Sequence, residues 1–204
     1  VPDSMREKAQ LMGYTVVSHS AIVATHITEI IKSHAHEILG RQEVQNLIDK
    51  LAKHHPKVVE ELIPGLLSLG GVQKVLHNLL KERVSIRDLQ TVLETLADYA
   101  TSTKDTDLLT EYVRMQLARQ ISRGLQGADA TMQVIALNQD IEDAIAKSVH
   151  ETPQGSSFSI EPVTAQRILI RLKEAFEEVI SKGYQPVILV SHQTRRFVRK
   201  LIER

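Results

Sequence analysis

Residues 84–123 constrain the fold most, because their apolar side chains recur at spacings of three and four in two separate runs. Ile86, Leu89, Val92, Leu93 and Leu96 make the first run; Leu108, Leu109, Tyr112, Val113, Leu117 and Ile121 make the second. At a helical period each run collects on one face, with Arg87, Gln90, Glu94 and Asp98 on the other side of the first. Ser85 followed by Asp88 predicts a helix start near Ile86, the hydroxyl and carboxylate answering free amides of the first turn. Asp105 is the expected N-cap of the second helix, and Asp107 adds favourable charge against its dipole. The polar segment 101–107 joins the two into an αα-hairpin whose apolar faces need further helices to cover them. Neither helix carries a recognisable catalytic group.

Upstream, residues 5–12 have helical spacing with Gly13 as terminator, and the β-branched run 14–17 suits a short strand. Such a strand needs partners from outside the first forty residues. Ser18 and Ser20 offer caps to a long helix through Ile22, Val23, Ile27, Ile30, Ile31, Ala35, Ile38 and Leu39, ended by Gly40. Helices are predicted at 42–53, 57–63 and 66–82, the last starting or kinking at Gly70-Gly71, so that 42–100 is all-helical.

After Gly127 the period changes. Residues 132–137 (MQVIAL) and 186–191 (PVILVS) read as buried strands. Asn138 caps a helix through Ile141, Ala144, Ile145 and Val149, residues 152–159 read as a flexible connection, and 161–182 as a long amphipathic helix. A basic helix follows from Gln193. Strand, helix, helix, strand, helix predicts a parallel pair with a crossover. The expected fold class is therefore α+β, mostly α: a helical bundle followed by a small α/β subdomain with a short parallel sheet.

Composition narrows function by exclusion. The 25 Lys plus Arg balance 25 Asp plus Glu, so no global field favours nucleic acid or an anionic membrane. The absence of cysteine excludes disulfides, thiolate metal sites and a cysteine nucleophile. No apolar run approaches the roughly 20 residues of a membrane span. Among nine histidines there is no pair four apart with an intervening glutamate, and a zinc site from His26, Glu29 and a remote ligand fits known spacings poorly. His192 directly follows the PVILVS strand, so an enzyme site around His192 and Asn138 is one reading, although no G-x-S-x-G, P-loop or G-x-G-x-x-G accompanies it. Arg195, Arg196, Arg199, Lys200 and Arg204 suggest either contact with phosphate or an acidic partner, or a solvated face behind inward Phe197, Val198, Leu201 and Ile202. No catalytic residue, metal or cofactor is expected.

The strings GYTVV at 13–17, ATH at 24–26, the run 40–100 and KDTDLLTEYVR at 104–114 resemble the FlhA family of flagellar type III secretion export gates. The lettering of residues 86–100 points to the flagellar rather than the virulence-type branch. The resemblance implies a C-terminal piece of a cytoplasmic domain whose parent is a multi-pass protein of the bacterial inner membrane. It also implies a non-enzymatic docking platform that assembles as a ring of nine. The implied partners are flagellar export chaperones with their substrates and other export components, including the ATPase complex. Partner-binding residues carried over from the family are Val17, Ile22 and Thr25. The implied division is 1–40, a remnant of a docking subdomain plus the long helix; 41–124, all-helical; and 128–204, a small α/β subdomain lacking its closing strand. Ser18-His19 stand where the family usually has Asp-Pro, and Thr106 where it usually has proline.

Overall fold

Caps and apolar stripes set most of the helix starts in the computed structural model, which describes residues 3–127, 129–152 and 155–203. The chain begins with α1 (Asp3–Leu11), α2 (His19–Ser33) and the short α3 (Ala35–Ile38). It continues through α4 (Arg41–Ala52), α5 (Pro56–Glu61), a π turn (Leu62–Leu66), α6 (Leu69–Lys81), α7 (Leu89–Tyr99), α8 (Thr106–Gln116) and α9 (Ala118–Leu125). The remainder is β1 (Val134–Ala136), α10 (Gln139–Lys147), β2 (Val149–Thr152), β3 (Gly155–Phe158), α11 (Pro162–Ser181), β4 (Val187–Leu189) and α12 (His192–Ile202). The fold is mostly α with a small α/β part, as the periodicity predicts.

Two apolar cores form. The first joins α4, α6, α7 and α8 through residues such as Val44, Ile48, Val75, Leu76, Leu93, Leu96, Leu109 and Val113, all essentially inaccessible. Tyr99 and Tyr112 stack at its edge with ring centroids 4.1 Å apart. The second packs Ile145 of α10, Ile168 and Leu172 of α11, and Phe197, Val198 and Leu201 of α12 against Ile135 and Ile188 of the sheet. That sheet is the expected parallel pair, β1 on β4, with Val134 opposite Val187 and Ala136 opposite Leu189, but its strands are three residues each and are not the buried strands expected, Val134 and Leu189 being 41% and 55% exposed.

Several expectations give way to local chemistry. The α7 cap is Asp88, whose carboxylate accepts from the Thr91 amide at 3.2 Å and its hydroxyl at 2.8 Å. Ser85 serves only a turn ahead of the helix, accepting from the Arg87 amide at 3.4 Å. The long helix expected to run to Leu39 breaks at His34, whose amide still donates to the Ile30 carbonyl at 3.0 Å but whose φ of −109° and ψ of 12° leave the helical region, while the Ser33 hydroxyl and His34 Nδ1 crowd the same carbonyl. The second hairpin helix is likewise two, α8 and α9, because the chain turns at Leu117 while keeping that side chain in the core. Residues 14–17 form no strand: no described segment offers them a ladder partner, and a lone strand leaves its amides unpaired. Of the connection at 152–159, read as flexible, Thr152 and residues 155–158 instead belong to an antiparallel hairpin, with Val149 opposite Phe158, and 153–154 lie outside the described residues. Phe158 then packs against Phe197, the rings tilted by 33° with centroids 5.4 Å apart, which ties the hairpin to the second core.

Ions rather than apolar groups dominate the meeting of α12 with α6 and α8. The Arg195 guanidinium donates to both carboxylate oxygens of Glu82, each at 2.9 Å, and to Glu111 at 2.6 Å through Nε. Arg114 joins the group through an ion pair to Glu82 Oε2, the oxygen that Arg195 Nη1 also addresses. Arg196 donates to Asp105 at 2.9 Å and to Ser156 at 2.8 Å, and Lys200 to Asp107 at 2.7 Å. Burial opposes the Arg195 charge, but hydrogen bonds to Glu111 and Glu82 outweigh it and raise its pKa. Over Arg195 and Arg196 the basic helix is thus neither a free phosphate site nor a solvated face, while the Arg199 and Lys200 side chains stay partly open to solvent and Arg204 lies outside the described residues.

Candidate docking surface

The Ser18 side chain caps α2 by accepting from the Ala21 amide at 3.2 Å. Val17 and Ile22 therefore occupy the positions of a hydrophobic staple, immediately before the cap and at the fourth residue after it. Both stay open to solvent, Val17 at 57% and Ile22 at 53% exposure. Thr25 is exposed one turn beyond Ile22. At about 100° per residue, Ile22 and Thr25 lie roughly 60° apart around the helix and share a face.

The same geometry puts Val23, Ile27, Ile30 and Ile31 on the other side of α2, and each of these is about half exposed. No residue of α2 is buried. The sequence places these residues on one long helix with Ile22, and a helical projection of residues 19–33 separates them from Thr25, which sits opposite them. Val17 also lines an open apolar groove with Met5, Ala9, Met12 and Tyr14, so α1 and α2 together expose a broad apolar surface.

Few contacts fix this surface to the bundle. Glu29 accepts from Lys32 at 2.9 Å and from Arg83 at 3.2 Å, and these cations, Lys32 first, hold its carboxyl below the usual range. The Leu39 carbonyl, just past α3, accepts from His77 Nε2 at 2.7 Å and Gln73 Nε2 at 3.2 Å. Those side chains satisfy a carbonyl that the end of α3 leaves free and pin the base of the α2–α3 arm to α6.

The rival site at the strand ends is occupied by structural work. Asn138 accepts from the Asp140 amide at 3.2 Å as the cap of α10. His192 is the exposed first residue of α12. Glu142 reaches across to accept from the Ser191 amide at 3.3 Å and the Thr194 hydroxyl at 3.1 Å, so a carboxylate on α10 caps α12. Among the described residues no group of three His, Asp or Glu could hold a metal ion, and the suggested zinc ligand Glu29 is engaged by cations.

Comparison with known proteins relates the chain and its fold to one family. The chain is 43% identical over its full length to the flagellar biosynthesis protein FlhA of Bacillus subtilis, of which it spans 30%. It is 39% identical to the FlhA of Escherichia coli K12, spanning 29% of that protein. Among solved structures it resembles nonameric EPEC SctV-C with a TM-score of 0.82 and 31% identity, over 98% of this chain and 60% of that one. It also resembles CdsV in the Chlamydia pneumoniae CdsV and CdsO complex, with a TM-score of 0.85 and 29% identity, over 100% and 59%. The chain thus spans under a third of the curated relatives it matches. With the FHIPEP family model matching residues 1–204 as well, the chain belongs to the FHIPEP family.

Proposed function

We propose that this chain is a non-enzymatic docking and ring-forming part of the flagellar type III protein export apparatus. The observation that carries the docking reading is α2, a capped helix with Ile22 and Thr25 on one face and no buried residue anywhere along it. The exposed apolar stripe of Val23, Ile27, Ile30 and Ile31 suits an amphipathic partner segment laid along the helix, with Ile22 on its adjoining side and Thr25 one turn beyond Ile22. The proposed occupants are flagellar export chaperones with their substrates, and the contact residues are Val17, Ile22 and Thr25. Ring formation is supported by the nonameric state of SctV-C and of the EscV cytosolic domain, both similar in fold. The CdsV and CdsO complex supports contact with further apparatus components, among which we include the ATPase complex.

No described helix is long and apolar enough to cross a membrane. The proposed setting is the cytoplasmic face of the bacterial inner membrane, as part of a longer multi-pass protein. The proposed division of labour assigns residues 1–40 to docking, 41–124 to the all-helical unit and 128–204 to the α/β unit.

The test titrates chaperone–substrate complexes against the complete protein and its Thr25→Met and Ile22→Asp variants. Binding weakens in both, while Lys173→Ala on exposed α11 leaves it unchanged. Undiminished affinity in both variants refutes docking at this face.

A further inference from the structure

We infer that the cluster of Glu82, Glu111, Arg114 and Arg195 is a mechanical joint that fixes the orientation of the α/β part on the helical bundle, with Arg195 as its positioning residue. The two apolar cores share no buried residue. What spans them is a set of charges in which Glu111 is 6% and Glu82 14% exposed as side chains, against 22% for Arg195.

The geometry is directional. Arg195 addresses two helices at once, Glu82 past the end of α6 and Glu111 in the middle of α8, using Nε, Nη1 and Nη2. A planar fork engaged on two carboxylates fixes both distance and angle, which an apolar contact of similar area would leave freer to slide. Arg114 shares Glu82, so the four charges sum to zero and the cluster needs no counterion. Two outer contacts, Arg196 to Asp105 and Lys200 to Asp107, repeat the arrangement along successive turns of α12. Removing one member leaves a poorly solvated charge behind, so the joint is either closed or unfavourable, with little between. The joint stands apart from docking at α2, whose contacts with the bundle involve different residues.

The chain contains no cysteine, so cysteines placed at exposed Lys50 of α4 and Lys173 of α11 report the separation of the two parts after spin labelling. Pulsed dipolar spectroscopy is run on this background, on Arg195→Met and on Arg195→Lys. The expected result is one narrow distance distribution for the background. Arg195→Met gives a broadened, displaced distribution with helical circular dichroism retained, and Arg195→Lys falls between them because it keeps the charge and loses the fork. A broad distribution in the background, or an unchanged one in Arg195→Met, overturns the joint. If Arg195→Met loses its helical signal, Glu111→Gln, which keeps the side-chain shape and removes one of the two carboxylates that the fork engages, is measured instead. Broadening there supports the joint, and an unchanged distribution overturns it.

Discussion

Replacing Gly70 and Gly71 by alanine, one at a time, moves stability in opposite directions although the two residues are neighbours in the first turn of α6. A methyl on Gly70 meets Arg41 Nη2 at 3.6 Å and Ser68 Oγ at 3.8 Å, which is ordinary contact. There the gain is the lower backbone entropy of alanine in the unfolded chain, at most about 1 kcal/mol. A methyl on Gly71 meets Leu67 Cδ1 and Cγ, each at 2.8 Å. Cγ is a branch carbon rather than a flexible end, and Leu67 is only 6% exposed, so relief requires a core side chain to leave its rotamer. Overpacking of this kind costs about 1–3 kcal/mol, against a gain of at most ~1 kcal/mol from losing the glycine, leaving Gly71→Ala destabilised by about 1–2 kcal/mol. In thermal denaturation that lowers the midpoint by roughly 3–6 °C, while Gly70→Ala leaves it level or raises it slightly. Both are read by circular dichroism and by urea titration at constant slope. A Gly71→Ala midpoint at or above that of the parent chain refutes the reasoning, as does an equal loss in Gly70→Ala.

Asp105→Ala costs about 1–2 kcal/mol through the lost cap on the Asp107 and Leu108 amides alone, and more because Arg196 loses its carboxylate; Asp105→Asn recovers most of the cap in a urea titration. Glu142 titrates below the usual carboxylate range because hydrogen bonds, from Ser191 foremost and then Thr194, outweigh desolvation. Its contribution is therefore complete above the unfolded carboxyl pKa and is lost as the pH falls through the lowered folded value. Glu142→Gln is expected to be less stable than the parent near neutrality and to lose less stability on acidification, as followed by melting temperature against pH. Parallel pH profiles for the two chains refute that assignment.

The bundle was legible because its information is local. Val92, Leu93 and Leu96, or Leu109 and Val113, declare a face within two turns, and Asp105 declares a start within three residues. Likewise MQVIAL and PVILVS announce β1 and β4 by composition, and a parallel pair follows from what lies between them. The hairpin at β2 and β3 was hidden because GSSF lacks strand propensity; it is held by its partner and by Phe158 on Phe197. The proposed docking residues come only from family resemblance, since nothing in the spacing of Val17, Ile22 and Thr25 distinguishes a partner face from a core face. The role of the basic helix was illegible for another reason. Arg195 finds its carboxylates 84 and 113 residues earlier in the chain, and no local pattern encodes such a match.

That separation also has a consequence in time. Closing a flexible loop of 84 residues to bring Arg195 onto Glu111 costs about 4 kcal/mol of chain entropy, more than a single partly exposed ion contact returns. Contacts such as α7 on α8 close much shorter spans and gain apolar burial as they form. The order of assembly is then local first: the bundle gathers, the α/β core gathers around β1 and β4, and the prefolded units leave a shorter effective loop to close. Arg195 engages last, so the cluster checks a finished product rather than starting it.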